Sequence, residues 1–349
     1  MSSRMSTFWI AMGLGLTAPF VTSCVTKKEK SEETTAEGRL TEEQHKQLED
    51  ARAEMEIGRN MAGRLLKFYG AYQDEKLVRY VNEVGLYVAK FSEFPERRYM
   101  FDVYNSDAVN AFACPGGYIL ISLGAVKNAS NEAELAHVLG HEIAHVGKKH
   151  MFNTLAKMSK DELDKTAEEG AKAAPLPEEV VVRKRPAPEE NVIGALIARY
   201  LSGSAAGLNV LQAAKAGMSL VMEKGLGSDL EYEADREGTH YAINAGYYPK
   251  ALVNFLCRIE VNKGKPKDYC LKPEKMEAKA DGKSVLERTH PPIPERVANI
   301  KTVLIAVKAD DIIGAKGKKR FAKIKERLNG GESRADKDGG DDDETTGKE

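Results

Sequence analysis

The sequence lacks an excess of either charge: its 349 residues include 52 Lys and Arg and 53 Asp and Glu, which gives a formal net charge of −1 at pH 7. Proteins that bind nucleic acids or anionic membrane surfaces through their overall charge carry a clear basic excess. The composition therefore gives no indication of nucleic acid as a partner. At this length the chain can bury the core of one or two domains.

Long apolar runs are also scarce. The stretch from Phe8 to Phe20 is too short and wrongly flanked for a membrane-spanning helix, which needs about 20 apolar residues. The region from Val192 to Met222 is rich in small and apolar residues, but Arg199, Gln212 and Lys215 interrupt it. We interpret it as a buried or interfacial pair of helices. A site that lies within the membrane is therefore excluded.

Cysteine is scarce as well, with four residues in the chain, and the context of the first one is informative. Arg4 precedes an apolar segment that ends in Val21-Thr22-Ser23-Cys24, which resembles a bacterial lipobox. The resemblance implies a lipoprotein signal peptide over residues 1–23 and lipidation of Cys24, hence a lipid-anchored protein that faces the periplasm. Val25 rather than aspartate follows, which in enteric bacteria favours the outer membrane. The alternative is an ordinary secretory signal with an incidental cysteine.

The polar segments of the chain suggest its organisation. Residues 24–40 are charged and predict a flexible tether, and residues 329–349 predict a disordered acidic tail. Between them, residues 41–328 predict one domain, which a charged segment with four prolines interrupts at residues 158–190. We interpret this segment as a mobile insertion, either a lid over the site or a solvated loop.

Apolar periodicity predicts helices from Thr41 to Ala62 and from Asp74 to Phe91, and alternation predicts strands at Tyr99–Tyr104 and Tyr118–Leu123. The sequence Pro115-Gly116-Gly117 precedes the second strand and marks a tight turn. Two interpretations stay open: a plain hairpin, or a strand at the rim of a cleft whose exposed edge binds an extended peptide. The residues of that predicted edge are Gly117, Tyr118, Ile119 and Leu120.

The centre of the chain is the stretch from Asn131 to His150, where apolar residues recur with the spacing of a buried helical stripe. It contains His141-Glu142-Ile143-Ala144-His145, an H-E-x-x-H pattern. Residues four apart lie on one face of a helix, so His141 and His145 can share one metal ion. Imidazole suits zinc, a catalytic zinc keeps a position open for water, and Glu142 is the natural base for that water.

A zinc ion with two helical histidines needs a third protein ligand, and a downstream glutamate is one standard solution. Glu231 and Asp235 are four residues apart on one helical face. Gly238 and Ala242 continue that face, and their small size lets this helix approach the H-E-x-x-H helix closely. We therefore predict Glu231 as the ligand and Asp235 as the group that orients a histidine ligand. The other faces are polar and carry Glu233, Arg236, Glu237 and His240.

These motifs together resemble the zinc metallopeptidase family of the CAAX prenyl endopeptidase and HtpX type, which includes bacterial periplasmic lipoprotein peptidases such as LoiP and BepA. The third ligand of that family is the first glutamate of an E-x-x-x-D pattern, which matches Glu231 and Asp235. The segment Asn110–Gly117 is similar to the family's N-A-F-x-x-P-G-G block. The resemblance covers residues 41–328, with two departures: Ser228 stands where members often carry arginine, and the insertion is long.

The resemblance also gives a role to the His290-Pro291 pair, which alone would indicate a surface loop. In the family this pair lies next to the zinc. The resemblance implies that His290 either caps the zinc in a resting state or helps to stabilise the transition-state oxyanion. His137 is expected to be a packed histidine rather than a spare ligand, and His150 to be structural.

An exported protein sits in an oxidising compartment, so Cys257 and Cys270 are the best candidates for a disulfide, worth about 3 kcal/mol in the entropic account. Cys114 then remains near the cleft rim with no predicted role. Two further histidines, His45 and His240, are expected at the surface.

The fold expected from these features is a predominantly helical α+β zincin with a small β-sheet along the cleft. The expected function is zinc-dependent endoproteolysis of envelope proteins, with one zinc per chain, protein or peptide substrates and a role in quality control by analogy with the family. The alternative is a non-enzymatic, zinc-stabilised lipoprotein that acts as a scaffold or chaperone in outer-membrane assembly. The base Glu142 argues against that alternative, because structural zinc sites need no base. An intramembrane peptidase lacks the spans it would need.

Overall fold

The computed structural model describes residues 41–175, 210–271 and 284–335. The predicted signal peptide, Cys24, the tether, the second half of the insertion and residues 336–349 lie outside the described residues. From Glu42 onward the described residues form one compact unit. They are mostly helical with a three-stranded sheet, which confirms the predicted fold class. None of their helices is long and apolar enough to cross a membrane.

The described helices are numbered here in chain order. They are α1 Glu42–Tyr69, α2 Glu75–Ala89, α3 Leu123–Asn128, α4 Glu132–Gly147, α5 His150–Lys157, α6 Lys160–Ala173, α7 Val210–Ser219, α8 Ser228–Asn244, α9 Ala251–Asn262, α10 Val285–Thr289, α11 Ile293–Ala306 and α12 Lys318–Ala335. The strands are β1 Met100–Tyr104, β2 Ala111–Cys114 and β3 Tyr118–Ser122. Short irregular helical turns occur at Pro115–Gly117, Leu220–Lys224, Tyr269–Leu271 and Ala309–Asp311.

The first two helices lie close to where the sequence predicts them. α1 continues past the predicted end near Ala62 because Leu65 is still fully buried on its inner face. At the start of α2, the Asp74 side chain accepts hydrogen bonds from the backbone N–H groups of Lys76 and Leu77. This cap satisfies donors that the first helical turn leaves free. α1 packs against β2 and β3 and α2 packs against β1, on opposite faces of the sheet.

The sheet has the order β1, β3, β2. β3 is parallel to β1, with Tyr118 opposite Met100, and antiparallel to β2, with Leu120 opposite Phe112. Because β3 has a partner on each side, the prediction that it offers an exposed edge to a peptide is wrong. The residues concerned are Gly117, Tyr118, Ile119 and Leu120. The turn before β3 is the hairpin of the alternative interpretation, with positive φ angles at Gly116 and Gly117.

The first part of the predicted mobile insertion is a packed helix. Ser159 and Glu162 form a reciprocal capping box at the start of α6. Leu163 and Ala167 are buried against α7, and a Cβ atom on Gly170 would lie 1.9 Å from the carbonyl oxygen of Lys215. The abundance of charged residues led to the loop prediction, but the charges of α6 lie on its outer side. Residues 176–190 lie outside the described residues.

The C-terminal part differs from the prediction in length. α12 runs to Ala335 and so includes seven residues of the predicted tail. Its buried face carries Phe321, Ile324 and Leu328. Further back in the chain, a disulfide joins Cys257 in α9 to Cys270, with a Cα–Cα distance of 5.4 Å. Cys114 is free and fully buried, and burial raises the pKa of its thiol.

Candidate metal centre

The H-E-x-x-H sequence lies on α4, whose residues are nearly all buried. The Asn131 side chain caps this helix by accepting a hydrogen bond from the backbone N–H of Glu134. α8 crosses α4 at two glycines: a Cβ atom on Gly140 would lie 2.7 Å from the carbonyl oxygen of Gly238. A Cβ atom on Gly238 would lie 2.5 Å from the backbone nitrogen of His141. This close approach brings the side chains of α8 against the histidines of α4.

Three predicted ligands meet where the two helices cross. The Nε2 atoms of His141 and His145 are 3.1 Å apart. One oxygen of Glu231 lies 3.5 Å from His141 Nε2, and the other lies 3.6 Å from His145 Nε2. All three side chains are buried, and one ligand atom from each lies within 4.8 Å of the others. Together they can hold a metal ion.

The local chemistry fits such an ion. Oε2 of Glu231 is buried and accepts no hydrogen bond from the described residues. A buried carboxylate oxygen without a partner is costly unless a cation balances it. Burial works against the charge of Glu231, but the neighbouring His290 and His145 outweigh it and hold its pKa well below its usual range. The glutamate therefore keeps the negative charge that a metal ligand needs.

His141 is supported by a buried ion pair. Its Nδ1 lies 3.0 Å from Oδ1 of Asp235, the residue predicted to orient a ligand. Arg296 in α11 donates two hydrogen bonds to that carboxylate, at 2.9 and 2.7 Å. Burial opposes the charge of Asp235, but Arg296 lowers its pKa to about 2. Arg296 was not predicted from the sequence, although a buried aspartate requires an opposite charge nearby.

His145 is supported by a different set of residues, His150 and Glu233, whose contacts behind it were not predicted from the sequence. Its Nδ1 lies 3.0 Å from Nδ1 of His150, the first residue of α5. Nε2 of His150 lies 3.3 Å from Oε2 of Glu233 in α8. Burial, together with the charge of His145, lowers the pKa of His150 to about 3, so its ring is neutral at pH 7. The sequence predicts a structural role for His150 and only a polar face for Glu233.

Glu142 lies beside the predicted ligands and lines two cavities. Burial raises the pKa of its carboxyl, against the effect of the neighbouring histidines. One cavity, of about 400 Å³, is bounded by His141, Glu142 and an apolar face of α9. The other, of about 320 Å³, is bounded by Glu142, His145, Glu231 and part of β2. Glu142, the predicted base, therefore borders free volume in both cavities.

Among the described residues, the outer edge of β2 has no strand partner, and it borders this region. The N–H of Ser122 donates to the carbonyl of Asn110, so the antiparallel ladder places the bonds of Phe112 and Cys114 toward β3. The backbone groups of Ala111 and Ala113 then point away from β3. Both residues border the second cavity. The strand that can accept an extended peptide is therefore β2 rather than β3.

His290 lies at the centre, as the resemblance implies. Its Nε2 is 3.3 Å from Oε2 of Glu231, and its ring centroid is 6.0 Å from that of His141. Its Nδ1 is 2.8 Å from the hydroxyl of Thr289. That hydroxyl donates to the carbonyl of Val285, also at 2.8 Å, so it accepts a hydrogen bond from His290. The proton of a neutral His290 is therefore on Nδ1, and Nε2 has a free lone pair.

The remaining histidines lie apart from the predicted ligands. His137 is buried, with Nε2 3.1 Å from the carbonyl oxygen of Tyr248. Burial lowers the pKa of His137 to about 4. His240 is half-buried rather than at the surface. The side chain of His45 lies outside the described part of the chain.

Residues 75–304 match Peptidase family M48. The chain is 26% identical over 209 residues to the Beta-barrel assembly-enhancing protease of Escherichia coli (strain K12), which covers 58% of this chain and 37% of that protein. It is 29% identical over 189 residues to the protein of the same name from Yersinia pestis, which covers 53% and 33%. The Mitochondrial metalloendopeptidase OMA1 of Arabidopsis thaliana is 36% identical over 55 residues, covering 16% and 11%.

The chain spans about a third of the length of the assembly-enhancing proteases that it resembles. The segment matched by the family covers more than half of the chain. It contains both histidines of the H-E-x-x-H helix, Glu231, Asp235 and His290, which meet in the structure. The chain therefore belongs to peptidase family M48.

Proposed function

We propose that this chain is a zinc-dependent metalloendopeptidase of the bacterial cell envelope. The observation that carries the proposal is the convergence of His141, His145 and Glu231, with Glu142 beside them and lining two cavities. A zinc ion that serves only stability has four closed protein ligands and no use for a base.

Two imidazole nitrogens and one carboxylate oxygen form a donor set that suits zinc with an open position. When bound there, zinc lowers the pKa of a water molecule and polarises the scissile carbonyl. Asp235 and Arg296 fix the ring of His141, so that its Nε2 faces Glu231. Glu231 holds the charge that balances the cation.

Glu142 acts as the general base and then as the general acid. Its carboxylate accepts a proton from the attacking water and later delivers it to the leaving nitrogen. Burial raises the pKa of this carboxyl, which helps it to hold the proton between the two steps. The adjoining cavities give room for the substrate on either side of the scissile bond.

The substrate is a protein in extended conformation. The outward backbone groups of Ala111 and Ala113 offer hydrogen bonds to a peptide that lies along β2, as in other cases of strand addition. Side chains next to the scissile bond enter the two cavities, of which the one beside α9 is lined by Leu252, Phe255 and Leu256. This geometry favours unfolded segments over folded surfaces.

His290 regulates or assists the reaction. Its Nε2 lone pair faces the buried oxygen of Glu231, an arrangement that a cation between them would stabilise. In a resting state His290 would supply a fourth ligand to a zinc ion held by His141, His145 and Glu231. With substrate in the site instead, His290 would have to be protonated at Nε2 to donate a hydrogen bond to the oxyanion.

The cellular setting follows from the N-terminus and the relatives. Lipidation of Cys24 would anchor the chain to a membrane, with the outer membrane and the periplasmic side as the proposed location. The names of the relatives refer to β-barrel assembly. We therefore propose misfolded or stalled envelope proteins as substrates and quality control as the role.

The test uses the chain from Val25 onward, with casein as an unfolded substrate. Cleavage is measured for the parent and for Glu142→Gln, and bound zinc is quantified in both. We expect cleavage by the parent alone, with zinc retained in each protein, because the substitution removes the base and leaves the ligands in place. Glu326→Gln, on the exposed face of α12, serves as the control for the same chemical change away from the site.

Two results would contradict the proposal. Equal cleavage by both proteins would exclude Glu142 as the base. Zinc in both with cleavage by neither would favour a latent enzyme or the non-enzymatic scaffold, for which the contact of His290 with Glu231 is the supporting observation. His290→Ala separates these two, because only a latent enzyme gains activity when the capping imidazole is removed.

A further inference from the structure

The contacts behind His145 have a defined direction if His145 is a metal ligand. A ligand that binds through Nε2 carries its proton on Nδ1. This Nδ1–H faces Nδ1 of His150 at 3.0 Å, so His150 must accept there. The proton of His150 is then on Nε2, which faces Oε2 of Glu233 at 3.3 Å. Each donor therefore has an acceptor, from the ligand to the carboxylate.

The position of His150 is itself unusual. On a continuous helix, residues five apart lie on different faces, so His150 would point away from His145. The backbone instead turns at Lys149, which has φ 56° and ψ 34°, the left-handed conformation that favours glycine. This turn ends α4 and begins α5 in a new direction. As a result, the ring of His150 returns to the ring of His145.

The side chain of Lys149 explains why lysine occupies this strained position. Its Nζ lies 3.0 Å from Oε2 of Glu54 in α1, and Glu54 is 3% exposed. The other oxygen of Glu54 accepts hydrogen bonds from Arg97 at 3.0 Å and from the backbone N–H of Gly116 at 3.3 Å. A glycine would relieve the backbone strain but would lose this anchor to α1.

We propose that His150 and Glu233 are positioning residues for the zinc ligand His145, and that the Glu54–Lys149 ion pair places His150. The proposal deepens the proposed function, because it assumes that the centre holds zinc. Hydrogen-bond partners behind a metal ligand fix its tautomer and ring orientation, and their removal typically weakens metal binding about 10–100-fold. Glu233 is partly exposed, so its role concerns the metal rather than the stability of the core.

The experiment measures zinc affinity by competition with a chelator, and thermal unfolding of the metal-free protein, on the chain from Val25 onward. The variants are Glu233→Gln, His150→Ala and Lys149→Gly. The matched control is Glu237→Gln, the same change of charge one turn further along α8. We expect zinc affinity to fall about 10–100-fold for His150→Ala, by a similar or smaller factor for Glu233→Gln, and least for Lys149→Gly. Glu237→Gln should bind zinc as the parent does.

A merely structural role would give a different pattern. If the unfolding temperature of the metal-free His150→Ala and Glu233→Gln proteins falls while their zinc affinity matches that of the control, the positioning role is wrong. Glu233→Gln keeps the proposal testable if His150→Ala does not fold. If the parent did not bind zinc, the proposed function itself would be wrong. If the parent bound zinc and no variant changed the zinc affinity, only the positioning role would be wrong.

The visible spectrum of the cobalt-loaded protein adds a second readout. The absorption of bound Co²⁺ depends on the geometry of its ligands, so a rotated His145 ring changes the spectrum. We expect a changed spectrum for His150→Ala and an unchanged one for Glu237→Gln. Identical spectra for all proteins would contradict the positioning role.

Discussion

The two predicted histidine ligands lie one turn apart on α4, yet the residues behind them differ strongly in burial. Asp235 behind His141 is fully buried and is paired with Arg296, which is also buried. Behind His145, the contacts run through His150 to Glu233, whose side chain is 32% exposed. The support of His141 is thus part of the core, whereas the support of His145 reaches the surface.

Contacts behind a ligand can therefore have two separate effects, one on the stability of the fold and one on the orientation of the ligand. A buried ion pair holds helices together as well as orienting a ligand, so its loss affects folding. A contact at the edge of the core orients the ligand with little effect on folding. The comparison predicts that stability and metal affinity respond separately on the two sides of the centre.

The largest effect is expected for Asp235→Asn. This change leaves the guanidinium of Arg296 buried without its opposite charge, which costs about 3–5 kcal/mol of unfolding free energy. Urea denaturation of the metal-free protein measures the loss. Asp229→Asn, at the exposed start of α8, is the matched control and should change little. If Asp235→Asn and Asp229→Asn had equal unfolding free energies, the residues behind His141 would not contribute to the stability of the core.

The part of the centre that could be predicted from the sequence consists of residues that are one helical turn apart in the chain. His141 and His145 are related by one helical turn, as are Glu231 and Asp235, and helical periodicity is a strong signal. The small residues at the crossing of α4 and α8 also follow from that periodicity. Local patterns therefore predict the proposed ligands and Asp235, the direct partner of His141.

The rest depends on contacts that no local pattern encodes. Arg296 is 61 residues from Asp235 in the chain. His150 reaches His145 only because Lys149 adopts a left-handed conformation that its side-chain partner Glu54 stabilises. β2 is four residues long and has no alternation of polar and apolar residues. For this reason the peptide-binding edge was predicted at the adjacent strand β3 instead of β2. In these cases the tertiary structure decides.

The next effect concerns His137, a third histidine on α4, whose partner is a backbone carbonyl rather than a carboxylate. Burial lowers its pKa to about 4, from 6.5 in the unfolded chain. Between these values the unfolded chain binds a proton that the folded chain does not. The contribution of His137 to the free energy of unfolding is therefore fully present above pH 6.5. It falls by about 3 kcal/mol as the pH decreases to about 4.

Denaturation of the metal-free parent and of His137→Gln at several pH values measures this effect. The variant should show a smaller decrease between pH 6.5 and pH 4, because glutamine does not titrate. If the two curves of unfolding free energy against pH were parallel, burial of His137 would not oppose its protonation. His137 would then not differ in this respect from the two histidines that have other side chains behind them.

A smaller effect is expected for Gly238→Ala, which acts on both sides of the comparison at once. The added Cβ atom would lie 2.5 Å from the backbone nitrogen of His141, so α4 and α8 must separate. Overpacking of this kind typically costs about 1–3 kcal/mol, and the separation should also weaken zinc binding. Gly330→Ala in α12 is the control, since a Cβ atom there meets nothing within 4 Å. Unchanged zinc affinity in Gly238→Ala would contradict the account of the helix crossing.

The most direct test of the centre itself is zinc stoichiometry after dialysis, compared among the parent, Glu231→Gln and Glu233→Gln. These two glutamates are two residues apart on α8, but only Glu231 faces both ligand histidines. We expect one zinc per chain in the parent, a loss of affinity of more than about 100-fold in Glu231→Gln, and a smaller loss in Glu233→Gln. If Glu231→Gln retained one zinc at the affinity of the parent, Glu231 would not be a ligand and the centre would have to be assigned differently.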